Sequence, residues 1–216
     1  MNLLIFDLDG TLIDSKLDLV HSVNAARALM DLSPISEEVV SSYVGNGAPI
    51  LIRRALGPSA SEAEVQCALE YFLKYYREHM LDHTRLYSGV KEALDRLLES
   101  GIKMAVLTNK PVRFSRSLVE GLGLRGYFFQ VYGGNSFDQK KPHPVGVRKL
   151  LEESCVARDR AMMVGDSAVD VRTARNADVK ACGVTYGFQP EGFLEDPPDI
   201  LVDNMSQLAD YVLERS

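Results

Sequence analysis

The sequence predicts an open α/β fold: a parallel sheet flanked by helices, with an all-helical block inserted after the first strand. Three observations carry this. The runs Leu3-Leu4-Ile5-Phe6, Met104-Ala105-Val106-Leu107 and Ala161-Met162-Met163-Val164 are continuously apolar, and each gives way to polar residues. Such runs fit strands buried on both faces, as in a parallel sheet. Helical segments separate them, which calls for right-handed crossovers. From about residue 15 to residue 81, finally, the pattern is helical with no convincing strand.

Taken in order, the first strand leads into Asp7-Leu8-Asp9-Gly10-Thr11. Within the helical block, Gly45 and Gly47 form a loop between two shorter helices. Ser61-Glu62-Ala63-Glu64 is a capping box that opens a long helix to about Met80. Val90 to Ser100 is periodic and is stopped by Gly101. After the second run, Pro111 opens a helix directed toward Gly123, with proline first and glycine last. A helix follows Pro142 or Pro144 and runs to about Ser154, another follows Asp166, and a last one covers about Ser206 to Glu214. Weaker strand candidates are Phe128 to Tyr132, Ala181 to Thr185 and Ile200 to Val202.

Composition narrows the function classes. The 216 residues are 46% apolar and 25% charged, ordinary for a globular protein with a sizeable core. A formal net charge of −6 argues against general binding of nucleic acid or anionic membranes. Cys67, Cys155 and Cys182 are widely spaced and form no CxxC pair, as expected of thiols in a reducing compartment. The N-terminus lacks a basic segment of the signal-peptide kind, and no apolar stretch approaches the roughly 18 residues of a bilayer span. The expectation is a cytoplasmic protein.

Chemistry is expected where strands end, because ligands of open α/β sheets sit at the carboxyl edge near the topological switch point. Asp7 and Asp9, two residues apart on an extended segment, project to the same side. Two carboxylates this close need a cation, or one keeps a proton. Gly10 allows a tight turn and a close approach to a ligand. By average residue usage a D-x-D-G-T string is expected about 0.002 times in such a chain. Thr108-Asn109-Lys110 brings a hydroxyl and an amide to a strand end beside a helix N-terminus, which suits an anion. Lys140-Lys141-Pro142-His143-Pro144 puts a lysine at a rigid helix start, where it can deliver a point charge to a phosphate; His143 reads as a turn residue. Asp166 and Asp170, one helical turn apart, would complete with Asp7 and Asp9 an oxygen-rich cluster suited to hard Mg²⁺.

These four elements, in this order and on strand ends, resemble the haloacid dehalogenase superfamily of phosphotransferases. Asp7 through Ser15 is similar to its first motif, Thr108-Asn109-Lys110 to the second, Lys141-Pro142 to the third, and Gly165-Asp166-Ser167 with Asp170 to the fourth. The resemblance covers essentially the whole chain. It implies a Rossmann-like core of residues 1–14 and 83–216 and a small C1-type helical cap of residues 15–82. Within the superfamily, Asp14-Ser15 through Asp18-Leu19, Tyr43 through Ala48, Lys141 through Pro144, and Gly183 through Gly187 resemble the phosphoglycolate phosphatase branch. Ser88 and Asp178 depart from it, standing where a proline and a small residue or glycine are usual.

The resemblance implies a Mg²⁺-dependent phosphatase acting on a small phosphorylated metabolite, as a monomer or homodimer. Asp7 would be the nucleophile and Asp9 the acid and base. Thr108, Asn109 and Lys141 would hold phosphate oxygens. Asp7, the Asp9 carbonyl and Asp166 would hold the metal, and Asp170 would orient Lys141 or a metal-bound water. In the cap, Gly45 and Gly47 would offer backbone N–H groups to a small acid, and Arg53 or Arg54 would pair with its carboxylate. Phosphatases of pyrophosphate, sugar phosphates and nucleotides share most of these features. A phosphomutase would use the same Asp pair, a dehalogenase would need neither the Asp9-type acid nor a metal, and a non-catalytic binding protein on the same fold is the remaining alternative.

Overall fold

The computed structural model describes residues 1–215. The chain begins with β1 (Leu3–Phe6), makes a short β2 (Ile13–Asp14), and then runs through α1 (Lys16–Leu29), α2 (Glu37–Tyr43), α3 (Ala48–Leu56) and α4 (Glu62–His79). It returns through β3 (Arg85–Leu86) and α5 (Val90–Glu99) to β4 (Lys103–Leu107), α6 (Val112–Gly121) and β5 (Gln130–Tyr132). Then come α7 (Val145–Ser154), β6 (Ala161–Gly165), α8 (Ala168–Asn176), β7 (Lys180–Val184), β8 (Ile200–Val202) and α9 (Met205–Leu213).

Six strands form one parallel sheet in the order β5-β4-β1-β6-β7-β8. The three long apolar runs are its centre, because only central strands are covered on both faces. Leu4, Phe6, Met104, Val106, Met162 and Val164 point to the face packed by α5, α6 and α9. Leu3, Ile5, Ala105, Leu107, Ala161 and Met163 point to the face packed by α7 and α8. The connection reverses direction at β1, with β4 on one side and β6 on the other. The carboxyl ends of these three strands are therefore neighbours at the switch point, where a ligand is expected.

Between β2 and β3 lie only helices. Ser61 and Glu64 form the expected capping box at the start of α4. The buried stripe of α4, Val65, Ala68, Phe72 and Tyr76, keeps helical spacing and joins the same core cluster as α1, α3 and the upper sheet face. The two chain crossings are held side by side by the antiparallel β2–β3 pair, which the sequence reading did not anticipate. Buried Asp18, at the start of α1, reinforces them: its Oδ2 accepts from Thr84 N and Thr84 Oγ1, both at 2.8 Å, and from His83 N at 3.0 Å. Asp178 has φ +55°, a left-handed conformation that explains why a side-chain-free residue would suit that position. No helix among the described residues is long and apolar enough to cross a membrane.

Candidate active site

Three strand ends build the site. Asp7 follows β1, and its N–H still donates to Val164 O of β6 at 2.9 Å, so the nucleophile candidate is fixed by sheet register. The chain then turns back through Leu8 O, which accepts from the amides of Thr11, Leu12 and Ile13. This turn needs Gly10 at φ +79°, and a Cβ there would lie 2.2 Å from Asp166 Oδ2. Asp166, after β6, is buried and accepts from Phe188 N at 2.7 Å. Ser167 and Asp170 form a capping box on α8, with Ser167 Oγ donating to Asp170 Oδ2 at 2.7 Å. That bond leaves Asp170 Oδ1 for Lys141 Nζ, 2.6 Å away, and the same ammonium lies 2.9 Å from Asp7 Oδ1. Cβ atoms on Gly165 and Gly187 would likewise collide with Asp170 and Asp166, so bare backbone closes the site from three directions.

Asp7, Asp166 and Asp170 bring carboxylate oxygens within 4.8 Å of one another, all buried. Lys141 is the only ammonium among them, so negative charge is in excess. Burial, followed by the charge of Asp170, pushes the Asp7 carboxyl up to about 6 against the opposing pull of Lys141. Burial and the charges of Asp170 and Asp7 raise Asp166 well above the usual carboxylate range. Burial works against the Lys141 ammonium, but Asp170 and Asp7 outweigh it and hold its pKa above normal. Asp7 Oδ1 makes no hydrogen bond of proper geometry within the protein. Hard oxygen donors in excess of the one cation beside them, backed by glycines, fit Mg²⁺.

A pH effect follows. Asp7 and Asp166 have folded-state pKa values above their unfolded ones, so the folded chain binds more protons there and loses stability as pH rises. For Asp7 the loss spans the interval from the ordinary carboxylate value of 3.8 to about 6. A divalent cation, preferring the ionised cluster, works in the opposite direction. The stabilisation by Mg²⁺ over EDTA, measured as the shift in urea midpoint, is expected to grow from pH 4.5 to pH 6.5. A pH-independent gap would mean that the cluster does not hold the ion.

Asp9 sits apart from this cluster. Its carboxylate accepts from Lys110 Nζ at 2.9 and 2.8 Å and from Ser15 Oγ. Lys110 is itself buried; burial disfavours its charge, but Asp9 and the neighbouring Tyr76 together outweigh this and raise its pKa. Lys110, present in the second motif without an assigned role, is thus the direct partner of Asp9. Thr108 lies in the cavity wall, its Oγ1 accepting from Lys110 N at 3.3 Å. Asn109 spends its amide donors on Gly45 O at 2.8 Å and Lys141 O at 3.0 Å, leaving its Oδ1 without a partner. It thereby ties the glycine loop to the sheet. Gln189, which the sequence reading passed over, does the same by donating to Ser41 O and Val44 O, and Lys140 of the Lys-Lys-Pro segment donates to Asn46 O at 2.6 Å.

A cavity of about 50 Å³ lies between these groups, lined by Asp7, Asp9, Thr108, Asn109 and Asp166 from the sheet edge and by Gly45, Gly47 and Tyr76 from the helical block. Since one water needs about 10–15 Å³ on this measure, the space suits a small ligand. Lys141 and Asp170 stand directly behind it. Arg53 and Arg54 are not brought to it. They occupy the last turn of α3, on a separate outer depression with Tyr43 and Pro58, and Arg53 pairs there with Glu62. Gly47 caps the start of α3, and six residues at 1.5 Å each carry Arg53 about 9 Å further along the axis. His143 is exposed, its Nδ1 accepting from Val145 N, as a turn residue would.

Residues 4–184 match the family model described as haloacid dehalogenase-like hydrolase. A phosphoglycolate phosphatase of Vibrio parahaemolyticus is 40% identical over 221 residues, spanning 98% of this chain and 96% of its own. One from Agrobacterium fabrum is 37% identical over 216 residues, with coverage of 99% and 93%. Among solved structures, "a predicted phosphoglycolate phosphatase" from Haemophilus somnus superposes with a TM-score of 0.92 at 32% identity, covering 98% of this chain and 97% of that one. With the sheet order, the strand-end carboxylates and the buried lysine already in place, the conclusion is plain: the chain belongs to the haloacid dehalogenase-like hydrolases and is similar over nearly its whole length to phosphoglycolate phosphatases.

Proposed function

We propose that the protein is a Mg²⁺-dependent phosphoric monoester hydrolase that releases phosphate from 2-phosphoglycolate or a similar small phosphorylated metabolite through an aspartyl-phosphate. The observation that carries this is the pairing of Asp7 and Asp9 at one sheet edge with opposite surroundings. Asp7 lies among carboxylates and Lys141, while Asp9 is held by Lys110 and Ser15.

In the first step an Asp7 oxygen attacks phosphorus, the Asp7–phosphorus bond forms and the ester P–O bond breaks. Asp9 gives its proton to the departing alkoxide oxygen. In the second step Asp9 takes a proton from water, whose oxygen attacks phosphorus, releasing phosphate and restoring Asp7. Lys141, fixed by Asp170, keeps a positive charge beside Asp7 in both steps, and Thr108 and Asn109 bound the space for the phosphoryl oxygens. Mg²⁺, when bound by Asp7, the Asp9 carbonyl and Asp166, neutralises charge between nucleophile and phosphoryl group. Residues 15–82 act as a cap that keeps bulk water from this reaction, and the glycine loop held by Asn109, Lys140 and Gln189 forms its inner lip. The free thiols of Cys67, Cys155 and Cys182 fit a cytoplasmic setting.

Assayed with Mg²⁺ against pyrophosphate, nucleotides, sugar phosphates and 2-phosphoglycolate, the protein is expected to favour 2-phosphoglycolate by at least about tenfold in kcat/KM, which is about 1.4 kcal/mol. Preference for a nucleotide or sugar phosphate would overturn the substrate assignment and leave the reaction. Isomerisation of a hexose 1-phosphate without net phosphate release would overturn both.

A further inference from the structure

Among the described residues, the buried Asn109 Oδ1 and Tyr76 hydroxyl have no hydrogen-bond partner, and Asp7 Oδ1 has only its ion pair with Lys141 Nζ at 2.9 Å. All three residues line the same cavity. A buried polar group left unpaired is destabilising, so such atoms collect where a ligand satisfies them. Asp7 and Asn109 belong to the sheet edge where the phosphoryl group reacts. Tyr76 comes from the other side, from α4 of the helical block.

Tyr76 has 1% of its surface exposed, and its ring is clamped. It stacks on Phe72 with centroids 5.7 Å apart and meets Phe114 edge-on at 5.4 Å. Lys110 Nζ lies over the ring, 4.6 Å from its centroid, while its hydrogen bonds go to Asp9. Packing alone would be met by phenylalanine; the hydroxyl adds a desolvated donor with nothing to donate to. Burial pushes its pKa up to about 12, so it keeps its proton at neutral pH. Beside it stands the Lys110 ammonium, which spends two N–H donors on Asp9 and has a third. A fixed O–H donor next to a buried cation, on the wall facing the nucleophile, is the complement of a carboxylate.

We propose that the Tyr76 hydroxyl and the Lys110 ammonium form a subsite for the carboxylate of the substrate, so that the enzyme selects small phosphorylated acids over neutral phosphate esters of the same size. This rests on the phosphatase reading above and assigns the acid end of the ligand to α4 and the second motif instead of to Arg53 or Arg54.

The test compares 2-phosphoglycolate with 2-hydroxyethyl phosphate, its neutral near-isostere, for the wild-type protein and for Tyr76→Phe, with saturating Mg²⁺. Phenylalanine keeps the ring, its stacking and the contact with Lys110, and removes only the oxygen. A wild-type preference for the acid is expected. In Tyr76→Phe the acid-over-neutral ratio of kcat/KM is expected to fall about ten- to a hundredfold, mostly through KM, without loss of thermal stability. An unchanged ratio, whether from no loss or from equal loss on both esters, would overturn the subsite. Equal wild-type activity on both esters would also overturn it while leaving the phosphatase reading intact. No wild-type activity on either ester, with phosphate release absent across the wider panel, would overturn the phosphatase reading itself.

Discussion

Asp7→Asn is expected to lower Mg²⁺-dependent phosphate release by at least about 10⁴-fold, because in the proposed mechanism it removes the nucleophile on which every later event depends. The fold should survive. Asp7 is buried and its ionised form is disfavoured by burial and by Asp170, so a neutral isostere relieves repulsion more than it removes attraction. Lys141 retains Asp170 as its partner at 2.6 Å. Near-wild-type melting temperature together with lost turnover is the expected pair of results. Full activity, in protein shown by mass spectrometry to be free of deamidated Asp7, would sink the nucleophile assignment. A collapse in stability would show that Asp7 is mainly structural.

Lys141→Met should damage both properties. The ammonium is 4% exposed and lies between Asp7 and Asp170, and its loss leaves three neighbouring carboxylates without a cation. Breaking a buried ion pair by removing one partner typically costs about 3–5 kcal/mol, here on the order of 10 °C in melting temperature. Turnover should fall by at least about 10²–10³-fold, the scale for losing one group aimed at transition-state charge. Mg²⁺ should restore part of the stability and little of the activity, since it replaces the charge but not its position. A melting temperature within about 2 °C of wild type in EDTA would mean that the carboxylates are protonated together and that Lys141 does not hold them.

The central strands were legible because burial on both faces writes a continuous apolar run, and the carboxylates at their ends followed from topology. β5 begins at Gln130, two residues later than the apolar pattern suggested, because Phe128 and Phe129 belong to the approach to the sheet edge. The β2–β3 pair is two residues long on each side, too short for any periodicity to register. The links of Asp9 to Lys110 and of Asn109 to Gly45 join residues 101 and 64 positions apart, which no local pattern encodes. Tyr76 was hidden differently: in an amphipathic helix an aromatic at core spacing reads as packing, and its hydroxyl gains meaning only when its surroundings are counted. Arg53 and Arg54 misled because closeness in sequence to the glycine loop is not closeness in space along a helix axis.

The position of β1 at the middle of the sheet bears on how the protein is made. Leu3–Phe6 is synthesised before both of its sheet partners: Lys103–Leu107 follows 100 residues later, and Ala161–Gly165 later still. At about 5–20 residues per second, the unpaired apolar segment that leads into Asp7 waits on the order of 5–20 s for the nearer neighbour. The helices of residues 16–79 emerge in that interval and can form from local contacts alone. The carboxylate cluster of Asp7, Asp166 and Asp170 therefore cannot assemble until Asp170 has emerged, long after Asp7.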